Sequence, residues 1–103
     1  MRRFKRWAVV KFPLTFPVRV YLRPKFRMPD AFGYFNLKED GTSGTIWIRD
    51  ETDADTLLAT LCEEWAHART HALDDYSLPD PHHHPAFWAE FGRIESARRD
   101  REW

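Results

Sequence analysis

An α+β domain is the fold class this sequence predicts, and three observations carry that expectation. Two short β-patterned runs, residues 32–37 and 45–49, flank an Asp40-Gly41 pair of the kind that turns a hairpin. Leu57, Leu58, Leu61, Trp65, Ala68 and Ala72 then recur at helical spacing. Beyond a proline-containing break, Phe87, Phe91, Ile94 and Arg98 repeat the helical period. The expected architecture is a short antiparallel sheet, the hairpin plus one or two edge strands, packed on two helices. At 103 residues the chain fits a single domain over 1–103, and 43% hydrophobic with 16% aromatic residues suffices for a core despite 31% charge.

Each element has a local cause. Residues 1–16 read as an extended basic arm ahead of a core over 17–103, since Pro13 and Pro17 confine any strand in 8–16 to a sheet edge. Residues 18–23 mix β-branched, aromatic and basic side chains and stop at Pro24, which reads as a strand. A helix over about 53–73 is expected to open with Thr52 and Asp55 in a capping box, acidic residues suiting its positive end. Pro79 and Pro81 lie in a turn-rich stretch over 74–81 that ends it. Pro85 suits the first turn of the second helix, Trp88 is expected to pin that helix to the first, and the charged tail over 98–103 to fray.

Composition excludes several classes of function. Cys62 is the only cysteine, which rules out an intrachain disulfide and a multi-thiolate metal site, and its expected role is a small buried residue. No apolar run approaches the roughly 20 residues that span a bilayer, and the charged start Arg2-Arg3-Phe4-Lys5-Arg6 lacks the apolar core of a leader. No membrane partner is expected, and a reducing cytoplasm suits the chain. Net charge is zero but lopsided, with every basic residue from Arg2 to Arg27 preceding the first acidic one, Asp30. Such a basic segment, interleaved with Phe4, Trp7 and Phe12, could contact nucleic acid or dock on a protein partner; the alternative, favoured here, is a solvated face of edge strands.

The segment that carries chemistry is Glu63-Glu64-Trp65-Ala66-His67, followed by His82-His83-His84-Pro85. Residues four apart share a helix face, so Glu63 and His67 point the same way, with Glu64 beside His67 at a spacing of three. A catalytic zinc takes three protein ligands and keeps one open position. Glu63, His67 and His83 supply a two-histidine, one-glutamate set of that kind, with His82 and His84 as alternates for the third place. Glu64 is the candidate catalytic base that activates a metal-bound water. The metalloprotease pattern has histidine where this chain has Glu63, and an anionic ligand makes zinc a weaker Lewis acid, so slower chemistry is expected. His71 is a spare candidate, better suited to a surface or supporting place.

Residues 56–94 resemble the SprT-like minimal zincin family, whose small members include many encoded by bacteriophages. The run from Leu57 through Glu63-Glu64-Trp65-Ala66-His67-Ala68 is similar to that family's Leu-rich helix ending in His-Glu-x-x-His-Ala. His83-His84-Pro85-Ala86-Phe87-Trp88 is similar to its His-Gly-Pro-x-Phe-Trp element. The resemblance implies a minimal zincin-like fold, one zinc ion per chain, His67 and His83 as ligands, and Glu64 as base. Glu63 occupies the place of the missing first histidine, and His84 that of a glycine.

Two readings of function follow. One is a zinc metallopeptidase of the cytoplasm (the host's, for a phage-encoded protein), with a hairpin edge at residues 45–49 aligning a peptide or protein substrate in extended form by strand addition. The other is a catalytically degenerate protein on the same scaffold, serving as a phage structural, assembly or adaptor component, for which the virion is a further location.

Overall fold

The computed structural model describes residues 2–50 and 53–100. Their order is α1 (Arg2–Lys11), β1 (Val18–Arg23), β2 (Gly33–Leu37), β3 (Gly44–Arg49), α2 (Ala54–Thr70) and α3 (Pro85–Asp100). The α+β class holds, with two differences in detail. The sheet is mixed, in the order β1-β3-β2, because β1 runs parallel to β3 while β2 pairs with it antiparallel. A third helix, α1, also packs on the core.

That helix corrects the extended arm. Phe4, Ala8 and Phe12 recur every four residues and are all buried. Phe4 meets Trp65 edge to face with ring centroids 6.0 Å apart, and the Trp65 indole N–H donates to the Phe12 carbonyl at 2.9 Å. Pro13 stops the helix, and extended chain then leads into β1. The aromatic residues that seemed free to stack on bases are therefore part of the core or packed against it.

The hairpin forms as its sequence requires. Gly41 takes the one positive φ among the described residues, 74°, and the Asp40 carboxylate accepts from the Thr42 amide at 3.0 Å. Ile46 and Ile48 of β3 point inward and are fully buried, whereas Trp47 lies on the opposite face.

The inward face of the sheet meets α2, which also packs on α3. Being flanked on several sides, α2 buries residues all round, from Leu61 and Cys62 to Glu64, Trp65 and Ala66. Of the expected stripe, Leu61, Trp65 and Ala68 are buried, Leu57 and Leu58 are partly buried, and Ala72 is exposed beyond the end of the helix. Asp53 caps α2, its carboxylate accepting from the Thr56 amide at 2.9 Å. Thr52, expected in that role, lies outside the described residues. The α-helix ends at Thr70 and tightens into a 3-10 turn over His71–Leu73.

α3 is continuous to Asp100. Its Arg98 is buried, bonded to Glu95 and, at 3.2 Å, to Asp55 at the start of α2; the rest of the tail, 101–103, lies outside the described residues. Trp88 does not pin α3 to α2: it is half exposed, stacks on the His83 ring and donates to the His83 carbonyl at 3.1 Å. Among the described residues, no helix is long and apolar enough to cross a membrane.

Candidate metal centre

The fold brings Glu63, His67 and His83 together. One ligand atom from each lies within 4.8 Å of the others, and His83 Nε2 stands 3.8 Å from the Glu63 carboxylate. Ligand atoms around a tetrahedral zinc are about 3.3 Å apart, given bond lengths of about 2.0 to 2.1 Å, so small side-chain adjustments complete the set. Two elements build it. The helical turn of α2 places Glu63 beneath His67, and the segment before α3 carries His83 over the same face, with ring centroids of His67 and His83 4.9 Å apart. Phe87 stacks on the His67 ring at 4.1 Å, so the first turn of α3 also fixes the plane of the imidazole.

The three clustered histidines have separate work. His83 Nδ1 bonds both carboxylate oxygens of Asp80, at 2.9 and 3.0 Å, which leaves Nε2 facing Glu63. A carboxylate behind the far ring nitrogen is the usual device for fixing the tautomer of a metal-binding histidine. His84 is buried with both nitrogens engaged: Nδ1 accepts from the Phe87 amide at 3.1 Å, and Nε2 donates to Asp74 at 3.0 Å. It is the N-cap of α3 and has no lone pair left for a cation. His82 bonds the other Asp74 oxygen at 2.7 Å. Of the three, His83 is the one with a ligand atom grouped with Glu63 and His67; His82 lies outside that group, and His84 has no free nitrogen.

His71 borders the same cleft but lies outside the ligand group, held between the rings of Phe16 and Phe35 with Nδ1 3.1 Å from the Ala68 carbonyl.

Electrostatics suit the assignment. Burial, and then the nearby charge of His83, lowers His67 to about 4, so its imidazole is neutral and no proton competes for the lone pair at neutral pH. Glu64 is buried, and burial first, then the charge of Glu63, raises its carboxyl to about 8. A divalent cation beside it would favour the ionised form again.

Glu64 sits against the sheet because Gly33 permits it. A Cβ at Gly33 would lie 2.5 Å from Thr60 Cγ2 and 3.0 Å from the Glu64 side chain. Glu63, Glu64, His67 and His83 all open into one cleft of about 580 Å³, walled on its other side by β2. This corrects the expected substrate edge. Residues 45–49 belong to β3, the central strand, whose two edges are already paired with β1 and β2. Among the described residues, the free edge beside the cleft is that of β2.

Sequence reasoning missed Asp80, Asp74 and Gly33. Asp80 had a signal, a carboxylate three residues before a candidate ligand in a Pro-Asp-Pro turn. Gly33 had none, since its role depends on how closely α2 approaches. Comparison with known proteins returns no matching family model, no matching curated protein and no matching solved structure.

Proposed function

We propose that the protein is a zinc-dependent peptidase related to the minimal zincins, with Glu63, His67 and His83 holding the metal and Glu64 as general base. The observation that carries this reading is the convergence of two imidazoles and a carboxylate at ligand spacing on one wall of an open cleft, with a recessed carboxylate beside them. The donor set fits zinc, which accepts nitrogen and carboxylate oxygen and needs no thiolate. Zinc bound there would polarise a scissile carbonyl and acidify a water molecule.

The remaining steps belong to the chain. Glu64, next in sequence to one ligand and three residues from another, takes the proton of the attacking water and delivers it to the departing amine. Asp80 keeps Nε2 of His83 turned toward the metal position. The β2 edge has no strand beside it among the described residues, so an extended peptide can add there through its main chain and lie across the cleft. A cytoplasmic location suits such a chain, whose single cysteine is buried.

The test is metal analysis of the purified protein together with cleavage of an unfolded protein substrate. About one zinc per chain, with hydrolysis lost in Glu64→Gln while the metal is retained, is the expected result. A protein that takes up no zinc removes the proposal.

The carboxylate at position 63 favours a second reading, a degenerate member of the scaffold acting as an assembly or adaptor component. Glu63→His separates the two. Activity that appears only in this variant identifies the natural chain as a non-enzyme; a natural protein that is already the better catalyst excludes that reading.

A further inference from the structure

We infer that the face of the sheet turned away from α2 binds single-stranded nucleic acid, at a site separate from the metal centre. Alternation along the strands sets this face. Because Val18, Ile46 and Ile48 point into the core, Arg19, Tyr21 and Arg23 of β1 and Trp47 of β3 point out. The register then aligns three aromatic residues in one row. Tyr21 pairs with Trp47 across the parallel ladder, and Trp47 pairs with Tyr34 across the antiparallel one. Tyr21 is 45% and Tyr34 54% exposed, Trp47 between them is partly buried, and the Tyr34 and Trp47 rings are 5.9 Å apart.

Arginines frame the row. The Arg23 guanidinium lies 4.9 Å over the Trp47 ring, Arg19 is exposed two residues before Tyr21 on β1, and Arg27 joins Arg23 and Trp47 around a cleft of about 390 Å³. Among the described residues, Asp30 is the one carboxylate lining that cleft. The acidic residues of the hairpin, Glu39 and Asp40, sit at the far end of the strands, where Asp40 is already bonded to Thr42 and paired with Lys38.

Flat rings set about one strand spacing apart, between cationic groups, present what a single strand needs: faces on which unpaired bases stack and donors for the phosphates between them. Aromatic and arginine side chains also anchor protein interfaces, but among the described residues three arginines against one carboxylate favour a polyanion over a protein of ordinary charge. The inference does not rest on the hydrolytic reading: the metal-ligand candidates lie on the other side of the sheet, and Tyr34, on the edge strand β2, borders both clefts.

The test is fluorescence anisotropy of a labelled oligothymidine of about 12 nucleotides titrated with the full chain. Expected is saturable binding whose log affinity falls with log salt at a slope of about −2, as three neutralised phosphates on a single strand require. Trp47→Ala should weaken binding about tenfold, and Arg23→Gln should reduce the slope by about 0.7. Tyr21→Ser, at an exposed edge position, is the second variant should Trp47→Ala not fold, and is expected to weaken binding at least fivefold. Chelation of metal should leave the affinity unchanged. Absent binding, salt-independent binding, or binding indifferent to Tyr21 and Trp47 but lost on neutralising Arg2, Arg3 and Arg6 of α1 overturns the inference. So does loss of binding on chelation, or binding of an acidic peptide in preference to the oligonucleotide.

Discussion

Replacing Glu64 with glutamine in the metal-free protein should abolish the fall of stability with pH above neutrality. The wild-type carboxyl is raised to about 8 from 4.5, so between those values the native state keeps a proton that the unfolded chain has released, and stability falls as pH rises. His67 acts in the opposite sense. Lowered to about 4 from 6.5, it stays neutral in the native state while the unfolded chain takes up a proton, and stability falls as pH drops through that interval. Where the windows overlap, from 4.5 to 6.5, the two slopes cancel and a plateau results. From 6.5 to 8 Glu64 acts alone, at roughly 1.4 kcal/mol per pH unit, a loss of roughly 2 kcal/mol. For a domain of this size that lowers the melting temperature by about 10 °C. In Glu64→Gln the decline above 6.5 should vanish, and the plateau below it should become a slope, since His67 is then uncompensated. Thermal unfolding of both proteins in chelator from pH 4.5 to 8.5 is the assay. Parallel curves for the two would mean that Glu64 is not held as a neutral acid, and the account of its recess beside Gly33 would be wrong.

Three further substitutions probe the supports of the site. Asp80→Asn should weaken zinc binding by about 10- to 100-fold with little change in stability, as Asp80 is exposed and acts through the His83 ring; competition against a chelating dye measures it. His84→Ala should cost about 1 to 2 kcal/mol through the lost cap of α3 yet spare zinc affinity, whereas His83→Ala should do the reverse, and equal effects on affinity would contradict the division of labour among the histidines. Gly33→Ala should force α2 from the sheet, destabilise by about 1 to 3 kcal/mol and depress hydrolysis more than folding, read by denaturant titration beside a peptidase assay.

The parts of this fold that were legible in the sequence are those fixed by local chemistry. Asp40-Gly41 sets a hairpin whatever surrounds it, and the Leu57 to Trp65 period needs a helix. Glu63 and His67 were legible for the same reason, helical pitch being local. α1 was misread because Pro13 and Pro17 dominated the reading of the whole segment, although the spacing Phe4, Ala8, Phe12 already carried a helical period. The pairing of β1 with β3 was not legible. Hairpin signals specify neighbours in sequence, whereas a parallel pair depends on which strand lies between two others, and that placement also decided which strand keeps a free edge beside the cleft. Which histidine joins Glu63 and His67 was equally hidden, because it depends on Asp74 holding His82 and His84 while Asp80 orients His83.

On the proposed reading, the glutamate at position 63 alters more than the ligand count, for it would tie metal binding to the protonation of its neighbour. Without a cation, the charge of Glu63 adds to burial in keeping Glu64 protonated. With a divalent cation on Glu63, the nearest charge to Glu64 changes sign, and the carboxyl ionises as a general base must. Zinc uptake at pH 7 should therefore expel the Glu64 proton, about 0.9 of one per site for a group that titrates at about 8. Calorimetry in two buffers of different ionisation enthalpy counts released protons directly, and Glu64→Gln should release about one fewer than wild type. Protons released elsewhere cancel in that difference. Equal release from the two proteins would show that the ion does not reach Glu64, and the base would then have to be sought elsewhere in the cleft.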